Sequence, residues 1–295
     1  MRKQYPLWMI IGLLGATPAT AQDFGAEFRA AYQRGDSAAT WQVLRRWQQA
    51  RPQDPEGYIT RFNYLLKQAE VIELRSGSGQ AGALVLKDKK GKVAGTLGSG
   101  YRPDLADRAC AVLRQGLAVA PDRLDMWFGL AKTYEETGQP AEEIKALTEA
   151  LAGHAQGRPW YWSGGQPLPE PEAQFLPQAL EQYANHYWQQ EGPAAVEAGG
   201  QLAALIARHY PQSSLGPFNL GLYHRSKGEL PKAYDYMQQA DKLQPQDFYT
   251  VANLTQMAVD LKRKAEAEQY LAQLRQLPGS QEAVAALAPR VRKLK

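Results

Sequence analysis

The sequence predicts an all-α solenoid of about six helix pairs, with a β-hairpin inserted in one pair and a capping helix at the C-terminal end. Three observations carry this prediction. Prolines that close helices recur at a fixed interval, 34 residues from Pro211 to Pro245 and 33 from Pro245 to Pro278. Within an interval two amphipathic stretches are separated by a turn, as at Gly228, before which one stretch stops and after which Pro231 opens the next. The interval fails in two places only, each time across a stretch whose composition is not helical.

The clearest unit is Ser214–Pro245. Leu220, Gly221 and His224 share a face of its first helix, and Ala233, Met237 and Ala240 recur at i, i+4, i+7 on the second. Small residues where two helices cross, at this period, resemble a tetratricopeptide repeat, and Leu220, Gly221, Gly228, Ala233, Ala240 and Pro245 carry the resemblance. It implies a right-handed superhelix that binds a protein or peptide in a concave groove lined by first helices.

Taken in order, the chain opens with MRKQYPLWMIIGLLGATPATAQ. A basic start at Arg2 and Lys3, an apolar run Leu7–Ala16 and the small-x-small Ala19-Thr20-Ala21 read as a cleavable leader over residues 1–21. The run is shorter than the ~20 residues a spanning helix needs, so no stable membrane anchor is expected. The mature chain is expected to start at Gln22 and to be periplasmic or secreted. Loss of Arg2 and Lys3 lowers the formal charge from +4 to +2, too little to suggest nucleic acid as a partner. The basic end, Arg290 to Lys295, complements a helix C-terminus.

The solenoid is assigned to residues 22–278. Its first pair ends at Pro52, with a turn at Gly35 and a cap at Asp36 or Ser37. The next closing proline, Pro121, lies 69 residues on, one unit plus about 35 extra. Residues 55–74 read as a first helix and 103–121 as a second. Between them lies an insertion, 75–102, with short strands Ala83–Lys87 and Lys92–Leu97 joined by Asp88-Lys89-Lys90-Gly91. Its lysines, Lys87, Lys89, Lys90 and Lys92, either protect an exposed edge from aggregation or mark an edge that pairs with another chain. The third pair, 122–155, departs from the pattern at Glu143, where a small residue is usual. From Ala155 to Pro211 is 56 residues. The surplus contains the loop 156–171, with four prolines and three glycines in the sixteen residues from Gly157 to Glu172. In the sixth unit Lys262 replaces the turn glycine. Residues 279–295 form the closing helix that a solenoid needs over its last apolar face.

No cofactor, metal or catalytic constellation emerges. Gly77 to Gly82 fits GxGxxG, but a strand-like run follows it where dinucleotide binding requires a helix. The four histidines, at 154, 186, 209 and 224, contain no i, i+4 pair. Cys110 lies on a helical apolar stripe and reads as a buried small hydrophobe. The chain is therefore expected not to be an enzyme, and the partner, pathway and oligomeric state stay open.

The resemblance places Asn63, Phe128, Lys132, Leu215, Phe218, Leu222, Arg225, Tyr249 and Gln256 on or near the groove. Phe128 and Phe218 stand where a carboxylate clamp would need lysine, so aromatic and aliphatic contacts are expected, with Arg225 and Lys132 supplying polarity. A second candidate is Trp160-Tyr161-Trp162. The triplet either folds back as a cover over the superhelix, because exposed tryptophans are costly, or presents a platform for a peptide or a sugar ring. Two functions follow: a non-catalytic scaffold or adaptor binding a protein segment, or a glycan-binding protein using the Trp160–Trp162 loop. N-terminal sequencing of the exported protein should give Gln22 as its first residue; retention of Met1 would contradict a cleaved leader.

Overall fold

The structure, a computed structural model, describes residues 22–75, 84–154 and 158–294. The expected leader and the GxGxxG run lie outside the described residues. The chain divides into two compact units, residues 1–168 and 169–295.

The described residues of the first unit hold three helix pairs. Helices α1 (Phe24–Gln33) and α2 (Ser37–Ala50) form the first, α3 (Pro55–Ala69) and α4 (Pro103–Val119) the second, and α5 (Leu124–Glu136) and α6 (Pro140–Gly153) the third. The side chains of Asp23, Asp36 and Asp54 accept backbone N–H bonds at the starts of α1, α2 and α3. Tyr58, Phe62 and Leu65 of α3 meet Ala109, Leu113 and Leu117 of α4 in a core that continues to Leu130 of α5. Cys110 is buried in that core and its thiol is pushed up to about 12 by burial. Glu143 is fully buried, so the departure from a small residue places a carboxyl inside the α5–α6 region rather than at the surface.

The second unit pairs α7 (Glu172–Trp188) with α8 (Pro193–His209), α9 (Leu215–Ser226) with α10 (Leu230–Leu243), and α11 (Phe248–Asp260) with α12 (Lys264–Leu274). Helix α13 (Gln281–Arg292) packs Leu287 and Val291 against the last pair and carries Pro289 within it. Close approach explains the small residues. A Cβ on Gly216 would lie 2.7 Å from the Ala207 Cα, and one on Gly221 would lie 2.9 Å from two atoms of the Met237 side chain. The turn between paired helices needs a left-handed residue: Gly35, Gly138 and Gly228 have φ of 69°, 69° and 76°. Lys262 holds φ 58° in the sixth unit, where a side chain costs ~1–2 kcal/mol.

The expected hairpin is present, and a third strand joins it. The helical periodicity of residues 55–74 stops at Ala69, and Glu70–Arg75 is a strand, β1. Strand β2 (Leu84–Lys87) and strand β3 (Val93–Tyr101) complete a three-stranded antiparallel sheet in the order β1-β3-β2. The β-branched pair Val71-Ile72 favours this outcome locally. Opposite it, β3 offers Gly98 and Gly100 as pairing partners of Glu73 and Val71.

Two substitutions separate packing from backbone strain. Gly216→Ala should lower stability by ~1–3 kcal/mol in urea denaturation, because its nearest neighbour is backbone that cannot yield. Lys262→Gly should instead raise stability by up to ~1 kcal/mol.

Candidate functional site

In the first unit the aromatic loop is a small ribbon. Tyr161–Trp162 (β4) pairs antiparallel with Gln166–Pro167 (β5) around a 3-10 turn, Ser163–Gly165, in which Gly164 and Gly165 both have positive φ. The ribbon attaches to the turn before α5. The Tyr161 N–H donates to the Asp122 carbonyl at 2.9 Å, and Tyr161 bridges Arg123 in parallel.

Trp160 is only 2% exposed and stacks on His154, with ring centroids 3.9 Å apart and planes at 10°. Trp162 meets Phe128 edge to face at 5.8 Å. Phe128 is therefore buried, not open on a groove, and Trp160 presents no face to a sugar ring. Tyr161 and Trp162 remain half-buried.

Arg123, the ribbon's attachment point, is also the centre of a buried charged cluster. Its Nε and Nη2 donate to the Asp125 carboxylate at 2.9 and 2.7 Å, and Nη1 lies 2.8 Å from Glu56 Oε1 on α3. Arg123 and Asp125 are 4% and 1% exposed. Burial works against the guanidinium charge, but Asp125 and Glu56 outweigh it and its pKa rises. The Arg123 side chain thus joins α3 to the start of α5, while its backbone meets the ribbon.

Lys132, one turn beyond Phe128, is engaged by its own helix. Its ammonium pairs with Glu135 and lies 3.5 Å from Glu136. Burial holds the Glu136 carboxyl above the usual carboxylate range, and Tyr101 at the end of β3 donates to it. Burial, reinforced by that carboxylate, pushes the Tyr101 hydroxyl up to about 12. Asn63 is half-buried on α3.

The second unit presents a more open surface. Phe218 is buried in the core, and Leu222 packs against that core while remaining partly exposed. Tyr249, at the start of α11, is 54% exposed and touches Phe248 edge to face. Arg225 on α9 donates to Asn253 Oδ1 on α11 at 2.7 Å, and the Asn253 amide is held by the Tyr249 carbonyl. Farther along, Arg290 on α13 bonds Gln256 and, at 3.0 Å, Asp260. Leu215 is half-buried. Polar side chains thus link α9 to α11 through Arg225 and Asn253, and α11 to α13 through Gln256, Asp260 and Arg290.

Of the residues expected on or near the groove, Leu222 and Arg225 lie on α9 and Tyr249 and Gln256 on α11, all in the second unit. Sequence reasoning missed Asn253, Asp260 and Arg290, whose spacing from their partners, 28 to 34 residues, is one repeat; that period was the available signal. It also missed Arg123, Asp125 and Glu56, which no local pattern announces. Among the described residues no group of histidine, cysteine and carboxylate side chains is placed to hold a metal ion. No described helix is long and apolar enough to cross a membrane.

The family model for the tetratricopeptide repeat matches residues 124–152, which span α5 and α6. No curated protein sequence matches the chain. Among solved structures, pilF of Pseudomonas aeruginosa is similar over 64% of this chain and 83% of its own, at 16% identity and a TM-score of 0.39. YrrB, described as a TPR protein with an unusual peptide-binding site, is 9% identical over 83% of this chain and 97% of its own, with a TM-score of 0.44. PilW, a type IV pilus biogenesis factor, is 14% identical over 91% of this chain and all of its own, with a TM-score of 0.40.

Removing a buried ionic partner leaves an uncompensated charge. Arg123→Met should therefore cost ~3–5 kcal/mol in chemical denaturation, against less than ~1 kcal/mol for Arg46→Met at the exposed pair with Glu27. The tetratricopeptide-repeat model thus matches the α5–α6 pair, and the other described helix pairs follow the same two-helix plan.

Proposed function

We propose that the protein is a non-catalytic scaffold, exported to the periplasm, that binds an extended segment of a protein partner along the α9–α11–α13 surface. The observation that carries this reading is Tyr249. It is a large aromatic left 54% exposed on a first helix, one turn before Asn253, whose amide bonds the Tyr249 carbonyl and whose Oδ1 accepts from Arg225 of α9. Aromatic and arginine side chains at the centre of a polar rim are the usual anchors of an interface. Arg225 and Arg290 are already hydrogen-bonded to neighbouring helices, so their guanidinium groups are oriented before a partner arrives and less rotamer freedom is lost on binding. The export reading rests on the leader pattern of residues 1–21.

The first unit contributes differently. Trp162 covers Phe128 and Lys132 is paired within its own helix, so that face offers less unoccupied contact area than α11 does. The glycan alternative, which uses the Trp160–Trp162 loop, has less support, because Trp160 is only 2% exposed and Trp162 is half-buried against Phe128.

The test is affinity capture from periplasmic extract with the mature chain and with a Tyr249→Ala/Arg225→Ala variant. Both side chains are exposed, so the variant should keep its helicity by circular dichroism. The expected result is a discrete partner whose affinity falls by ~10- to 100-fold in the variant. Equal capture by both proteins, or no partner with and without crosslinking, would overturn the proposal.

A further inference from the structure

We propose that the outer edge of β2 is a strand-addition site for an extended protein segment that alternates aliphatic and acidic residues. This surface is separate from the α9–α11–α13 surface and the proposal does not rest on it. Strand β3 occupies the middle of the sheet, so β2 lies at its margin, and no described residue pairs with its outer side. Leu84 stands opposite Leu97, and Val85 opposite Thr96. Side chains alternate across a sheet, so Leu84 and Leu86 point to one face and Val85 to the other. Leu84 is 64% exposed and Val85 41%.

A soluble chain normally blunts such an edge with a charge in the strand. Here the strand's charge, Lys87, stands at its end, past a register shift between Leu86 and Lys87. Lys89, Lys90 and Lys92 lie in the turn beyond it. That turn is fixed by Asp88, whose Oδ1 accepts from the Lys90 and Lys92 amides at 2.8 and 2.9 Å. Nothing from Leu84 to Leu86 repels an incoming strand, whereas four lysines against one aspartate at the tip favour an acidic one.

Exposed aliphatic side chains on both faces distinguish the occupant. A lipid surface covers one face of a sheet, whereas an added strand extends both, its alternate side chains meeting Leu84 and Leu86 on one side and Val85 on the other. A second copy of β2 would bring lysines and leave the tip without a counter-charge.

The probe is a fluorescein-labelled decapeptide of alternating valine and glutamate, titrated with the full mature chain and followed by anisotropy. Saturable binding is expected, with none to a peptide carrying proline at every third residue or to one of alternating valine and lysine. Lys89→Glu/Lys90→Glu/Lys92→Glu should weaken binding about tenfold or more. Val85→Lys, which charges the middle of the edge and spares the turn, should abolish it. All these positions are exposed, and unchanged circular dichroism confirms folding of each variant. The proposal is overturned by lack of saturation, by equal binding of the proline peptide, or by indifference to both variants. It is equally overturned if the peptide is ignored while phosphatidylglycerol vesicles retain the chain, or while sedimentation gives a dimer that Leu84→Glu dissociates.

Discussion

The structure depends on helices meeting where no side chain fits between them. At Gly216 the neighbour is the Ala207 backbone, at Gly221 it is Met237 and the Ala233 carbonyl, and at Gly116 it is Tyr58 and Met126. Each glycine lets an aromatic, a thioether or bare backbone lie directly on a helix surface. The helix pair is therefore the unit of folding, and the recurrence of such contacts sets the repeat period. Because successive pairs within each unit bury apolar faces against one another, lengthening a connection is tolerated wherever it leaves the crossing intact. The sheet between α3 and α4 is such a lengthening: the two helices still pack together although a sheet joins them.

The two interruptions differ in what they do to the surfaces they border. The ribbon at Tyr161–Pro167 is tied inward, by a backbone bond to Asp122, by Trp162 on Phe128 and by Trp160 on His154. Beneath it, the buried Arg123–Asp125–Glu56 cluster fixes the turn to which the ribbon attaches. The three-stranded sheet instead leaves Ile72, Leu84, Val85 and Val93 exposed. One insertion closes a surface and the other opens one.

Much of this was legible in the sequence, because the proline interval and the glycine turns are consequences of backbone geometry. Lys262 illustrates it: the interval required a left-handed residue there, and the residue is left-handed although it is not glycine. The failures have a common cause. Residues 70–75 carry apolar positions that suit either a helix or a strand, and only their pairing with β3, about 25 residues away in sequence, decides for the strand. Phe128 occupies a position that faces the groove in a regular repeat, but Trp162, far along the chain, covers it. The Arg123 cluster joins residues of α3 and α5 through charge, which leaves no periodic trace. Tertiary contacts of this kind override local pattern.

The central functional claim is that partners meet Tyr249 on α11 and not Phe128 beneath the ribbon. Site-specific photo-crosslinking in the intact periplasm, with p-benzoylphenylalanine placed at one position or the other, tests it directly. The account predicts a discrete adduct from position 249 and none from position 128. An adduct from position 128 with none from 249 would contradict it.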